Sequence, residues 1–525
     1  MIKYKKLKFL SLYILIILSS FSINYYVSSS GVFPVDTFVH YDNGFRILLG
    51  ELPVKNYFIV HGFLIDYIQA FFFKIFGNNW QSYVIHSSFF NVLISLFSFK
   101  VFNALDLKTY QSAILSILVG FLAYPISGTP FLDLHATYFS LFAIYLAVFS
   151  ILKNKKIYWF WASFFLCIAF FSKQVPSAYT IVGLTVACAI FSVLDKNKGK
   201  NIFVLYILGA ITFLTIFLFF LILQGISLKD FIIQLFLIPK SIGLNRYGNY
   251  ELGLKNVIMD YKFIHAIFIP LIIINFIKIK KEKNYIYKKN FQIFLVIFVF
   301  AISTIVHQIY TKNQIYIFSL IPILAGFLIY FINKTKVKNK ITLINLVLLI
   351  SIITAIKYHE RFNLERKFHE LIYTNLSNGV SASKIDKKLS GLSWISPHFE
   401  NPYEEIDNIK KFLKILKTDK ENKIVISEYN FFSSILNQKL FSPSRTYDSI
   451  SFPKKNEKFY EYYKSFFINN IKKNNIKNIY MLQSSKIKDD RIKLIVYNYI
   501  PSTCFNKKII DDYILILKLT NCREL

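Results

Sequence analysis

Long apolar runs alternate with short Lys-rich connections through the first two thirds of the chain, and the last third loses that pattern. The runs fall at about 9–27, 60–77, 83–104, 110–127, 137–152, 157–172, 175–194, 202–223, 263–279, 291–310, 315–333 and 341–357. Several, such as 203–223, reach the roughly 20 residues that a spanning helix needs. The Lys-rich connections are 1–8, 153–156, 196–200, 278–289 and 334–340. All should lie on the cytoplasmic side, where short loops carry excess Lys and Arg. Parity then requires that one early run not cross. The best run to remove is 60–77, which carries Asp66, Gln69 and Lys74 and ends in Gly77-Asn78-Asn79. Ionisable groups at mid-bilayer are costly, whereas an amphipathic helix lying in the interface accommodates them.

This gives about eleven spans, with the N-terminus inside and residues 358–525 outside. The start of the chain, KYKKLK followed by an apolar run without a small-residue cleavage site, reads as an uncleaved signal anchor. The first loop (28–82, with the interfacial helix at about 60–77), the turn 128–136, the turn at Lys173, the loop 224–262 and the turn 308–314 share the outer side. The expected fold is a polytopic α-helical membrane domain over 1–357 followed by an extracytoplasmic α/β domain over 358–525. In that last region, short runs at 423–429, 476–482, 491–499 and 512–519 read as strands. Helical stretches at 403–416 and 457–473 lie between them. Cys504 and Cys522 both fall there, on the side where a disulfide persists, and one is expected. Cys167 and Cys188 lie inside spans and read as small apolar residues.

Composition sharpens this picture only slightly. The chain is 54% hydrophobic and 18% aromatic, with a formal net charge of +32. Such a charge invites a nucleic-acid reading, but the lysines sit between spans and not on one soluble face, so no nucleic-acid partner is expected.

The candidate chemistry lies in the first outer loop, GVFPVDTFVHYDNGFRILLGELPVKNYFIVHG (31–62). Asp36 stands at the start of a helix, where it could cap backbone N–H groups or act as a base. The loop runs Asp36, Arg46, Leu48-Leu49-Gly50-x-x-Pro53, Tyr57-Phe58 and, after the interfacial helix, Phe76-Gly77. This order resembles the first loop of GT-C glycosyltransferases, the group that includes protein O-mannosyltransferases and the aminoarabinose transferase of lipid A. Phe131-Leu132-Asp133 and Phe171-Ser172-Lys173 stand where the family has a second acidic residue and, often, a basic one. The likeness covers roughly residues 1–220 in detail and the later spans by architecture alone.

The resemblance implies an inverting transferase on the extracytoplasmic face of a membrane, here expected to be a bacterial inner membrane. Its donor would be a polyprenyl-phosphate sugar, its acceptor a lipid, glycan or protein, and its surroundings membrane lipid. It implies Asp36 and Asp133 as catalytic carboxylates, and Lys173, His61 and Arg46 as donors to the leaving phosphate, where charge-assisted bonds are strong. Asp42 and Arg246 are further candidates. Thr37 stands where many relatives have Glu, which leaves a divalent metal open but unsupported, and no cofactor is certain. His61-Gly62 replaces a Lys-Pro, so His61 would serve a phosphate only as a hydrogen-bond donor or when protonated. His135 and His307 read as packed helix-end histidines, and Glu428, Arg445 and Asp448 as surface residues.

Three other classes fit a polytopic chain. A transporter or flippase would show inverted repeats and paired charges inside spans. A polysaccharide polymerase or ligase would place arginines in a large outer loop. A scaffold would need no acidic loop.

Overall fold

The computed structural model describes residues 2–124, 127–194, 199–247, 253–311, 317–366, 370–448, 451–520 and 522. The chain is mostly helical, with a small C-terminal sheet region, the architecture of a polytopic helical membrane protein. Among the described residues eight helices are long and apolar enough to cross a membrane: 9–27, 80–104, 132–153, 174–194, 200–223, 262–281, 289–311 and 340–364. Three shorter apolar helices, Thr109–Ala123, Ile157–Ser172 and Leu320–Asn333, coincide with the remaining expected spans. The run at 60–77 forms only the 13-residue helix Leu64–Phe76.

The chain divides into two compact units that cut across the expected boundary at 357/358. One comprises residues 1–27, 87–218 and 250–368, and the other 28–86, 219–249 and 369–525.

In the first unit, helices are joined by small residues and polar ties, the means of association left where lipid is as apolar as leucine. Asn24 Nδ2 donates to Ser87 Oγ (2.9 Å) and Ser88 Oγ (2.7 Å). Asn91 Nδ2 donates to the carbonyls of Ser20 (2.7 Å) and Gly120 (3.0 Å). A Cβ at Gly120 would collide with the hydroxyls of Ser20 and Ser95, so only glycine permits that approach.

The second unit is built on two sheets. Val380–Ser381 (β1) pairs antiparallel with Ser393–Trp394 (β2). Lys423–Ser427 (β3), Asn478–Leu482 (β4), Phe505–Ile509 (β5) and Ile514–Leu519 (β6) form the second sheet in the order β3-β4-β6-β5. The β3/β4 pair is parallel and the others antiparallel. Side chains alternate across it as the period of two requires. Val425, Tyr480, Leu482 and Ile514 enter one apolar cluster, with Ile406, Ile409 and Phe412 of helix Pro402–Thr418. Ile424, Ile426, Ile479, Met481 and Leu517 enter the other, with Tyr463, Phe467 and Ile471 of helix Tyr460–Lys473.

The first loop belongs to this domain's core. Helix Pro34–Leu48 sends Phe38, Tyr41 and Phe45 into the first cluster, against Trp80, Trp394 and Phe431. Each such ring buried contributes roughly 1.5–3 kcal/mol. Backbone bonds from Gly31 N to Ser393 O (3.1 Å), Phe58 N to Pro443 O (2.8 Å) and Arg445 N to Phe58 O (3.0 Å) stitch the loop to the C-terminal region. The Leu-Leu-Gly motif ends the helix: Gly50 has φ +80 and its N–H bonds the Ile47 carbonyl at 2.9 Å. Nothing lies within 4 Å of a Cβ placed there. The left-handed backbone, not crowding, therefore demands glycine.

The expectation of a strand at 491–499 is overturned. Asp489–Ile492 is α-helical and Lys493–Tyr497 continues as a wider turn, with Asn498 N bonded to Lys493 O at 2.8 Å. Ile492, Ile495, Val496 and Tyr499 are buried at helical spacing, and Asp489 and Asp490 suit the first turn. The strand that completes the sheet is β5, whose exposed Asn506, Lys507 and Lys508 hide it from a hydrophobicity pattern. Those lysines also blunt an open sheet edge.

Cys504 and Cys522 are joined as a disulfide, Cα atoms 5.1 Å apart, across 18 residues of chain. Cys504→Ser is expected to lower stability by about 2–4 kcal/mol, the usual yield of closing a loop of that order. Thermal unfolding of the purified chain with and without reductant checks this; an unchanged midpoint would refute it.

Candidate functional site

Four acidic residues lie in the first loop: Asp36, Asp42, Glu51 and Asp66. Asp42, on helix Pro34–Leu48, accepts from Ser433 Oγ (3.0 Å) and Ser434 N (3.1 Å). Burial raises its pKa, and Arg46 and these two donors oppose that rise. Glu51 takes the Arg46 Nε–H at 3.0 Å. Arg46 is buried, donates to the Ser442 carbonyl at 2.8 Å and stacks 4.1 Å from the centre of the Tyr57 ring. The sequence made Arg46 a phosphate donor and Asp42 a spare carboxylate. Both make bonds that fasten the loop to the C-terminal region.

Asp66 is the third. The sequence placed it on the wet face of an interfacial helix, yet it is fully buried and Phe71, Ile75 and Phe76 stand exposed. The helix buries Asp66 and Gln69 together with Ile65, Ala70, Phe72 and Phe73, and leaves Phe71, Lys74, Ile75 and Phe76 exposed. Asp66 Oδ1 lies 2.6 Å from His40 Nδ1 and 2.8 Å from Arg445 Nη2. At that distance from a carboxylate, His40 Nδ1–H is the donor, and Arg445 Nη2 donates to the same oxygen. Arg445 Nη1 also donates to the Gly62 carbonyl at 3.0 Å. Burial holds the His40 imidazole below its ordinary pKa, against the pull of the Asp66 bond and helped by the guanidinium. Arg445, read from sequence as a surface residue, is thus a buried ion-pair partner. Nothing near it in sequence signals this, because its partners lie some 380 residues away. Glu428 and Asp448 are partly buried, bonded to Ser484 and Ser451 respectively.

Asp36 is the fourth. The helix begins at Pro34 with Phe33 as its cap, and the Phe33 N–H is taken by Thr37 Oγ1 at 2.9 Å. Asp36 is therefore not the capping residue. It sits half-buried in the first turn, where the helix dipole favours a carboxylate. His61, after Tyr57-Phe58, is also half-buried.

In the first unit the structure brings together two expected residues and one unexpected one. Asp133 opens helix Leu132–Lys153, and Lys173 follows the last residue of helix Ile157–Ser172. Lys173 Nζ lies 2.6 Å from each carboxylate oxygen of Asp133. His307 Nε2, on helix Lys289–Thr311, lies 3.3 Å from Asp133 Oδ1. The side chains of Asp133 and His307 are 9% and 3% exposed, so the histidine is more than a packed helix end. His135 instead contacts the Phe131 carbonyl at 2.9 Å.

Arg246 falls near the end of helix Ile238–Tyr247, and its side chain lies outside the described residues. Among the described residues no group of three His, Cys, Asp or Glu side chains could hold a metal ion. No protein-family model and no curated protein matches the chain.

Proposed function

We propose that this chain is a membrane glycosyltransferase of the GT-C type, moving a sugar from a polyprenyl-phosphate donor to a lipid, glycan or protein acceptor. The observation that carries the reading is the place of Asp36, in the half-buried first turn of helix Pro34–Leu48 at the position of the resemblance. Asp42, Glu51 and Asp66 make bonds that hold the loop on which that helix lies. A base needs a firm support, and the three internal ties give the helix carrying Asp36 one.

The chemistry is a single displacement. Asp36 takes the proton of an acceptor hydroxyl or amine as that atom attacks the anomeric carbon. The bond from that carbon to the phosphate oxygen breaks, the configuration inverts, and polyprenyl phosphate leaves with the electron pair. Donors to the departing phosphate stabilise the charge that develops there. His61, on the same loop as Asp36, can serve as an N–H donor. An eleven-span topology, an extracytoplasmic C-terminal domain and a bacterial inner membrane belong to the same proposal, on the strength of lysine placement.

A second reading, transport of a lipid-linked solute, draws on the Asp133–Lys173–His307 cluster. Ionisable groups buried among membrane helices mark ion or substrate paths. One assay separates the two. The purified full chain is given radiolabelled polyprenyl-phosphate sugars and an extract of membrane lipids and glycans. Label transferred to an acceptor is the expected result. Donor binding without transfer, together with donor translocation in liposomes, would favour the transporter. No donor binding would remove both.

A further inference from the structure

The first unit holds a cavity of about 250 Å³ among the ends of helices Leu132–Lys153, Ile157–Ser172, Gln174–Leu194, Gly199–Leu223 and Lys289–Thr311. Its polar lining includes Lys156, Lys289, Asn154 and Gln292, with Trp159 and Tyr287 as aromatic walls. We propose that this cavity binds the phosphate headgroup of an anionic phospholipid.

Charge is the first argument. Among the described residues no carboxylate pairs with Lys156 or Lys289. The one acid of the 278–289 connection, Glu282, is taken by Lys288 at 2.7 Å. Two ammonium groups and two side-chain amides thus line a space that would hold about eight waters at roughly 30 Å³ each. Lysines bind phosphate as point charges, and amides add directed donors.

The walls are the second argument, and they separate a lipid from free phosphate. Trp159 is 1% exposed and lies between Phe191 (6.0 Å) and Tyr206 (6.3 Å), which makes a rigid apolar floor. Tyr206 is fixed in turn by a 3.0 Å bond to Thr185, joining the two helices behind that floor. On those same helices Ile190, Val193, Val204 and Leu208 stand exposed. A headgroup in the cavity can lay its acyl chains along this surface, and inorganic phosphate has nothing to place there. Basic pockets between membrane helices, with Trp and Tyr at the interface, suit anionic lipid.

The test is native mass spectrometry of the full chain in detergent, titrated with phosphatidylglycerol, phosphatidylcholine or inorganic phosphate. Phosphatidylglycerol should be retained and phosphatidylcholine should not. K156Q/K289Q should weaken retention by roughly 30-fold, the expected effect of two surface lysines. K336Q/K338Q removes the same charge outside the cavity and should leave retention unchanged. Should the double variant fail to fold, the single K289Q, at an exposed position, should weaken retention by about fivefold. Equal retention of both lipids, or full retention by the cavity variant, would overturn the proposal. Displacement by inorganic phosphate at matching concentration would assign the cavity to free phosphate and overturn the lipid.

Discussion

Asp36→Asn is expected to lower sugar transfer by about 10²–10⁴-fold, the usual contribution of a positioned general base. Asparagine keeps the shape of the side chain and can still accept a hydrogen bond, but it cannot take a proton from an acceptor at neutral pH. The helix should survive, since its cap is Phe33 with Thr37 and its ring anchors are Phe38, Tyr41 and Phe45. The loss should therefore fall on kcat, with the donor KM within about threefold, the pattern of an interaction made only in the transition state. Asp42→Asn is the matched control. Its carboxylate serves Ser433 and Ser434, so its removal should lower the thermal midpoint by loosening the loop and cost transfer far less than Asp36→Asn. Steady-state rates with labelled donor check both variants. Equal rates in wild type and Asp36→Asn would remove Asp36 as the base.

The fold and the site were not equally legible in the sequence. The long helices were, because a span needs about 20 apolar residues and little else looks like one. Strands β3, β4 and β6 were, because each sends alternate side chains into two buried clusters and carries apolar residues at both sets of positions. The 491–499 segment was misread because Ile and Val favour strands, while the buried positions are spaced as in a helix. Strand β5 was missed because an edge strand with two lysines carries little apolar signal.

The site divides along the same line. Asp133 could be singled out only through the resemblance, as an acid in the turn between two spans, and Lys173 also because it is a lysine on the side expected to be poor in them. Their pairing at 2.6 Å could not be read, nor could the arrival of His307, 174 residues away in sequence. The same holds for Arg46. Its helix and loop were visible, but the bonds its guanidinium makes to Glu51 and Ser442 depend on how residues 28–86 and 369–525 fold as one unit. Local pattern reports which groups are unusual, and long-range packing decides whether they are offered to a substrate or consumed.

The same packing gives the second large effect. Arg445→Ala is expected to destabilise the second unit by about 3–5 kcal/mol, because it strands the Asp66 carboxylate in a dry interior. Asp66 is fully buried, and burial lowers the pKa of its other partner, His40, so the imidazole resists taking on a compensating charge. The lost bond to the Gly62 carbonyl adds a backbone acceptor without its donor. The cost should belong to the stranded charge and not to lost volume, and a double variant separates the two. R445M/D66N replaces the pair by uncharged groups of similar shape, and such replacements are often neutral or stabilising. It should recover most of the midpoint lost by Arg445→Ala in thermal unfolding of the detergent-solubilised chain. A double variant no more stable than the single one would show that the arginine acts mainly by filling space. An unchanged midpoint in Arg445→Ala would show that the His40–Asp66–Arg445 cluster does not hold the first loop in place.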